Sequence, residues 1–214
     1  MTFDEFLTNG GYFFLAINTL SFIISYTKKD KALKYFIMYL ILCCTIQYYS
    51  SYLSNLNEHN LFLSHYFFIG QFILLSLFFS TFYKLKKYKN LNRFLIVAVA
   101  LSLITYLIKK PKIYVKWSEL EIAITSIPLI IYSFYFFIKK IDSNTNKKYI
   151  YFNSGFFVYT LCSTLIFTLG NIGSKEVKFY VWLFNSILYL FFQIAIFVEW
   201  YQNFRKPLNF KSNL

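Results

Sequence analysis

Side chains that can hydrogen-bond or ionise recur inside otherwise apolar segments of this chain, and Gln47, His65, Gln71, Glu121, Asn185 and Gln193 are the ones whose chemistry matters most. An amide or an ionisable group is costly in hydrocarbon unless it faces another helix or water, so each is a candidate for an interior site. The amides of Gln47, Gln71 and Asn185 sit at similar depth and read as the lining of a wet cavity or polar-ligand site, with Gln193 further along the same stripe as Asn185. The plain alternative is helix–helix hydrogen bonding, worth about 0.6 kcal/mol on average in a membrane. His65 adds a titratable group. Imidazole changes charge near pH ~6.5 in water, so this residue can respond to external pH or pair with Glu121.

Signatures of catalysis are sparse. The chain has no HExxH and no GxSxG, and its Asp residues fall only at positions 4, 30 and 142, so no pair of embedded aspartates can share a proton. Ser154 and His65 lie toward opposite ends of the expected topology and cannot meet. A retinal Schiff base needs a lysine in the middle of the last segment, and Phe179 to Val198 contains none. The only histidines, His59 and His65, lie at one surface, which argues against a transmembrane haem ladder. Cys43, Cys44 and Cys162 show no metal-binding spacing and read as small buried hydrophobes. No cofactor or metal is expected. Glu199, beside Trp200 and ahead of Arg205 and Lys206, reads as an interfacial acid paired with those bases; a coupling carboxylate at an inner gate is the functional alternative.

The elements that must position these groups are apolar stretches at about 11–26, 32–53, 61–83, 94–108, 122–138, 149–169 and 179–199. Each approaches the ~17–25 residues that an α-helix needs to cross a bilayer, and none alternates with the period of two that a barrel strand requires. The expected fold is therefore all-α: a polytopic integral membrane protein whose seven transmembrane helices form one bundle over residues 1–201, followed by a short basic tail at 202–214. The acidic start lacks the positive region of a cleaved signal peptide, so the first span is expected to remain as an anchor. The tail and loops leave no room for a nucleotide-hydrolysing domain.

Charge sets the expected orientation. Of 22 Lys and Arg residues, 16 fall in alternate gaps and the tail, and the net charge of +13 collects on that one face. By the positive-inside rule this face is cytoplasmic, with the N-terminus outside and the C-terminus inside. Lys84, Lys86, Lys87, Lys139, Lys140, Lys147 and Lys148 are its candidates for docking a protein partner or anionic lipid; beside membrane spans, lipid is a nearer ligand than nucleic acid, which is disfavoured. With 28 Phe and 20 Tyr among many Lys, Asn and Ile, the composition fits the inner membrane of an AT-rich bacterium, and most of the rings read as lipid-facing or packing residues.

Helical spacing sorts the polar residues into stripes expected to face the bundle interior: Asn18, Ser21 and Ser25 in the first segment, Gln47, Ser50, Ser51 and Ser54 in the second, and Ser64 and Gln71 in the third. Asn153, Thr160, Thr164 and Thr168 share a face of the sixth, and Asn185, Tyr189 and Gln193 one of the seventh. The fourth, with only Ala98, Ser102 and Thr105, is expected at the periphery. Together these features predict a non-enzymatic sensing, regulatory or accessory bundle acting through a separate protein, with a channel or secondary transporter as the alternative. Oligomerisation stays open.

Overall fold

The computed structural model describes residues 3–27, 30–82, 86–109, 118–141, 147–172 and 174–205. These form seven helices and, among the described residues, no strand: α1 (Phe3–Ile24), α2 (Lys31–Asn55), α3 (Phe62–Ser80), α4 (Lys86–Lys109), α5 (Glu119–Ile141), α6 (Ile150–Ile172) and α7 (Lys175–Asn203). All seven are long and apolar enough to cross a membrane. The helices outrun the apolar stretches because polar residues can continue a helix beyond its apolar segment. Thus α1 begins with Asp4 and Glu5 in its first turn, where carboxylates complement the positive end of the helix dipole, and α4 begins among lysines. Asp30 caps α2 by accepting from the backbone N–H of Leu33 at 3.0 Å.

Helix neighbours run α1–α2–α3–α5–α6–α7 and back to α1, closing a ring of six; α4 packs substantially on α3 alone and lies outside the ring. Consecutive helices are antiparallel, but two ring contacts are parallel. Along α1 and α7, Thr8 meets Ser186, Asn18 meets Gln193 and Ser25 meets Trp200 in ascending order. Along α3 and α5, His65 meets Glu121 and Phe79 meets Phe136 in the same sense. One close approach in this ring is made possible by Gly155 on α6: a Cβ there would stand 2.7 Å from the Cβ of Ala195, so α6 and α7 touch backbone to side chain.

Rings fill one half of the interior. Phe36 of α2 packs edge-on against Phe22 of α1 at 4.8 Å and Phe152 of α6 at 4.5 Å, and Phe78 of α3 lies 5.0 Å from Tyr149. Higher up, Tyr159 stacks on Phe192 at 5.2 Å. This aromatic plug occupies the half of the bundle nearest the basic links. Outside, Phe13, Leu20, Leu101, Ile131, Leu165 and Phe191 are among many exposed apolar side chains. An apolar exterior of that extent suits hydrocarbon rather than water.

Candidate functional site

At the end opposite the basic links, the second half of α2, the first half of α3, the last turns of α6 and the first half of α7 surround a cleft of about 270 Å³. Gln47 and Asn185 face each other across it, with Ser50, Ser64, Tyr159 and Trp182 in its walls. Some of this polarity is already used. Asn60 donates to the Ser50 backbone carbonyl and hydroxyl, at 3.1 and 2.9 Å, and Ser64 donates to the Leu61 carbonyl at 2.6 Å. Asn185 Oδ1, by contrast, is buried with no hydrogen-bond partner, as are Tyr189 OH one turn deeper and Thr160 Oγ1 on α6, among the described residues. A buried polar atom left unpaired costs about 1–3 kcal/mol, so these atoms favour a polar guest beneath the cleft. Aromatic walls and amide groups, with no acid or basic cation in the lining among the described residues, suit an uncharged molecule with hydrogen-bonding groups and an apolar face.

The other anticipated residues divide between different places. His65 and Glu121 do meet: His65 Nδ1 lies 2.5 Å from Glu121 Oε2, and both side chains are buried, between α3 and α5 rather than in the cleft. The second oxygen, Glu121 Oε1, has no partner among the described residues. This pairing, one of the options open in the sequence, joins two helices that are not consecutive. Gln71 is buried on α3 outside the cleft lining. Gln193 is committed to α1, its backbone and side-chain oxygens accepting from Asn18 Nδ2 at 2.9 and 3.1 Å.

Lys206 lies outside the described residues, and Glu199 makes hydrogen bonds that neither reading of the sequence anticipates. Its carboxylate is fully buried and accepts from the backbone N–H groups of Tyr149 at 2.5 Å, Tyr151 at 2.9 Å and Phe152 at 3.4 Å, and from Asn203 Nδ2 at 2.8 Å. It is therefore the N-terminal cap of α6, supplied by α7, where orphan N–H groups and the helix dipole both favour an anion. Tyr149, just before α6, has a φ of 68°, and its hydroxyl donates to Asp30 at 3.2 Å. Burial, followed by the Asp30 charge and hydrogen bond, raises this phenol well above its ordinary value.

Further polar links escaped notice in the sequence. Asn92 on α4 donates to the Ser76 carbonyl at 2.9 Å and accepts from Tyr132 OH at 2.7 Å, tying α4 to α3 and α5. Ser133 and Asn153 exchange bonds between α5 and α6. Asn92 falls in a lysine-rich stretch that reads as a link; only its continuation into the helix could have marked it.

Among the basic candidates, Lys139 donates to the Phe82 carbonyl at the end of α3, Lys140 lies 5.5 Å from the Phe136 ring centre, and Lys148 lies 5.1 Å from that of Phe204. Lys147 is exposed. Lys84 lies outside the described residues, and Lys86 and Lys87 are described only as backbone in α4. Comparison with protein-family models, with curated proteins and with solved structures found no significant match.

Proposed function

We propose that this chain is a non-enzymatic sensing, regulatory or accessory bundle of a bacterial inner membrane, with its basic end and C-terminus in the cytoplasm. On this reading it binds a small uncharged polar molecule in the outward-facing cleft and passes that state to a partner protein at the basic face. One observation carries the reading: a cleft bearing Gln47 and Asn185, with unpaired Asn185 Oδ1 and Tyr189 OH beneath it, ends on an aromatic plug. A site closed below suits binding better than conduction. The concentration of Lys and Arg on the other face supports the orientation and offers a surface for a partner or anionic lipid.

Purification of the tagged chain from its native membrane in mild detergent, followed by mass spectrometry, tests this proposal. A stoichiometric protein partner is expected, and Asn185→Leu should abolish the response while insertion is preserved. A chain recovered alone that moves solute across liposomes would refute it. The buried His65–Glu121 contact favours a second reading, a proton-coupled transporter, because two buried ionisable side chains meet between helices. Proton flux through the purified chain, lost in Glu121→Gln, would establish that alternative.

A further inference from the structure

A second cleft, of about 580 Å³, opens at the basic end between α2, α3 and α4. Lys31 stands at the start of α2, Lys89 and Arg93 on the first turns of α4, and Lys148 just before α6, around Asp30 and the hydroxyls of Ser80 and Thr81. Four cations thus face one carboxylate, and that carboxylate is engaged, by Leu33 N–H at one oxygen and Tyr149 OH at the other. The hydroxyls are engaged too: Ser80 donates to the Leu77 carbonyl and Thr81 to that of Phe78, each at 2.7 Å. Among the described residues the cleft is a positive basin above Tyr35 and Leu77, with Lys31, Lys89 and Arg93 around it and Lys148 also against the Phe204 ring.

The same helix faces continue past that basin. Tyr35 and Leu42 are two turns apart on α2, Leu77 and Gly70 two turns apart on α3, and Arg93 and Ile104 three turns apart on α4, spacings that keep a residue on one side of its helix. Leu42, Ile69, Gly70, Ile104 and Leu107, with His65 and Tyr66 beside them, line a mainly apolar cleft of about 500 Å³. Both clefts therefore lie along the groove that α2 and α4 flank on α3, with cations at one end and, beside His65, mainly apolar side chains at the other.

We infer that this groove binds an anionic phospholipid, its phosphate among Lys31, Lys89, Arg93 and Lys148 and an acyl chain over Gly70 between Leu42 and Ile104. Charge complementarity selects the headgroup, and the apolar continuation selects a lipid over a free phosphate ion. The inference rests on the membrane-embedded reading above but is independent of the opposite cleft.

Native mass spectrometry of the full chain in detergent, titrated with phosphatidylglycerol or with phosphatidylcholine of the same acyl chains, tests it. Retention of phosphatidylglycerol in preference to phosphatidylcholine is expected. The double variant Lys89→Gln/Arg93→Gln should bind it about thirtyfold more weakly, since each cation contributes roughly fivefold at an anionic surface, while Lys34→Gln, exposed on α2 and outside the cleft, should match the parent. Ile104→Trp, which fills the apolar half and leaves every charge in place, should also weaken retention. Equal retention of both lipids, undiminished binding in the double variant and in Ile104→Trp, or displacement of the lipid by excess inorganic phosphate would overturn the assignment. Topology labelling of the parent chain decides the orientation separately, so a failure of the lipid site is distinguishable from a failure of the membrane reading.

Discussion

Replacing Glu199 by Ala removes the one carboxylate that holds the start of α6 to the end of α7. The side chain is fully buried, and its two shortest backbone bonds, to Tyr149 at 2.5 Å and Tyr151 at 2.9 Å, are charge-assisted. Hydrogen bonds to a charged group contribute about 1.5–3 kcal/mol each, and removing the acceptor strands donors that the helix cannot satisfy itself. Water entering at the helix end recovers part of this, so the expected loss is about 3 kcal/mol, above the ~1 kcal/mol typical of a lost helix cap. For a chain of this length that lowers the melting temperature by roughly 6–12 °C, at about 2–4 °C per kcal/mol. Glu199→Gln should lose less, since one oxygen still accepts while the new NH₂ confronts a backbone N–H. Melting in detergent can be followed with a thiol-reactive fluorogenic dye, because Cys43 is buried and Cys44 and Cys162 are half-buried free thiols that unfolding exposes. A Glu199→Ala protein that melts with the parent would refute the capping role.

Gly155→Ala forces a Cβ to within 2.7 Å of the Ala195 Cβ, and overpacking of this kind costs about 1–3 kcal/mol; adding Ala195→Gly should restore most of the lost melting temperature, and failure to do so would show that the close approach is not the cause. For the buried His65–Glu121 contact, His65→Ala should destabilise by about 3–5 kcal/mol by stranding the Glu121 carboxyl, and the double variant by clearly less than the sum of the two single variants. Strict additivity in that cycle, measured by the same melts, would mean that the two side chains do not interact.

Hydropathy and charge make the seven helices and the two unlike ends legible, because solvent imposes them on segment length and composition without reference to any neighbour. The peripheral place of α4 is legible for the same reason: its apolar stretch, 94–108, carries only small polar residues and has little to offer an interior. Pairings are another matter. Periodicity orients each polar stripe about its own axis, yet says nothing of which helix stands opposite, so Gln47 and Asn185 could be placed in one cleft only once α2 and α7 were seen to flank it. Gln193, from the same stripe as Asn185, turns instead to Asn18 on α1. The capping role of Glu199 is not legible, because its partners are backbone N–H groups, which every residue possesses and no sequence distinguishes. His65 and Glu121 were each visible as ionisable residues, and their pairing was one option among several until α3 and α5 proved to be parallel neighbours.

The two parallel contacts in the ring carry a topological consequence. Travelling round it, α1–α2–α3 and α5–α6–α7 follow the same order with the same directions, so the bundle consists of two like-oriented triplets, an arrangement akin to repeats related by an axis along the bundle. A triplet has an odd number of passes and ends at the face opposite its beginning. Joining two of them head to tail in one polypeptide therefore requires a return traverse of the full bundle length, and α4 makes it. The odd total of helices arises from connectivity rather than from the needs of the core, which leaves α4 free to stand outside the ring and form the far wall of the groove along α3.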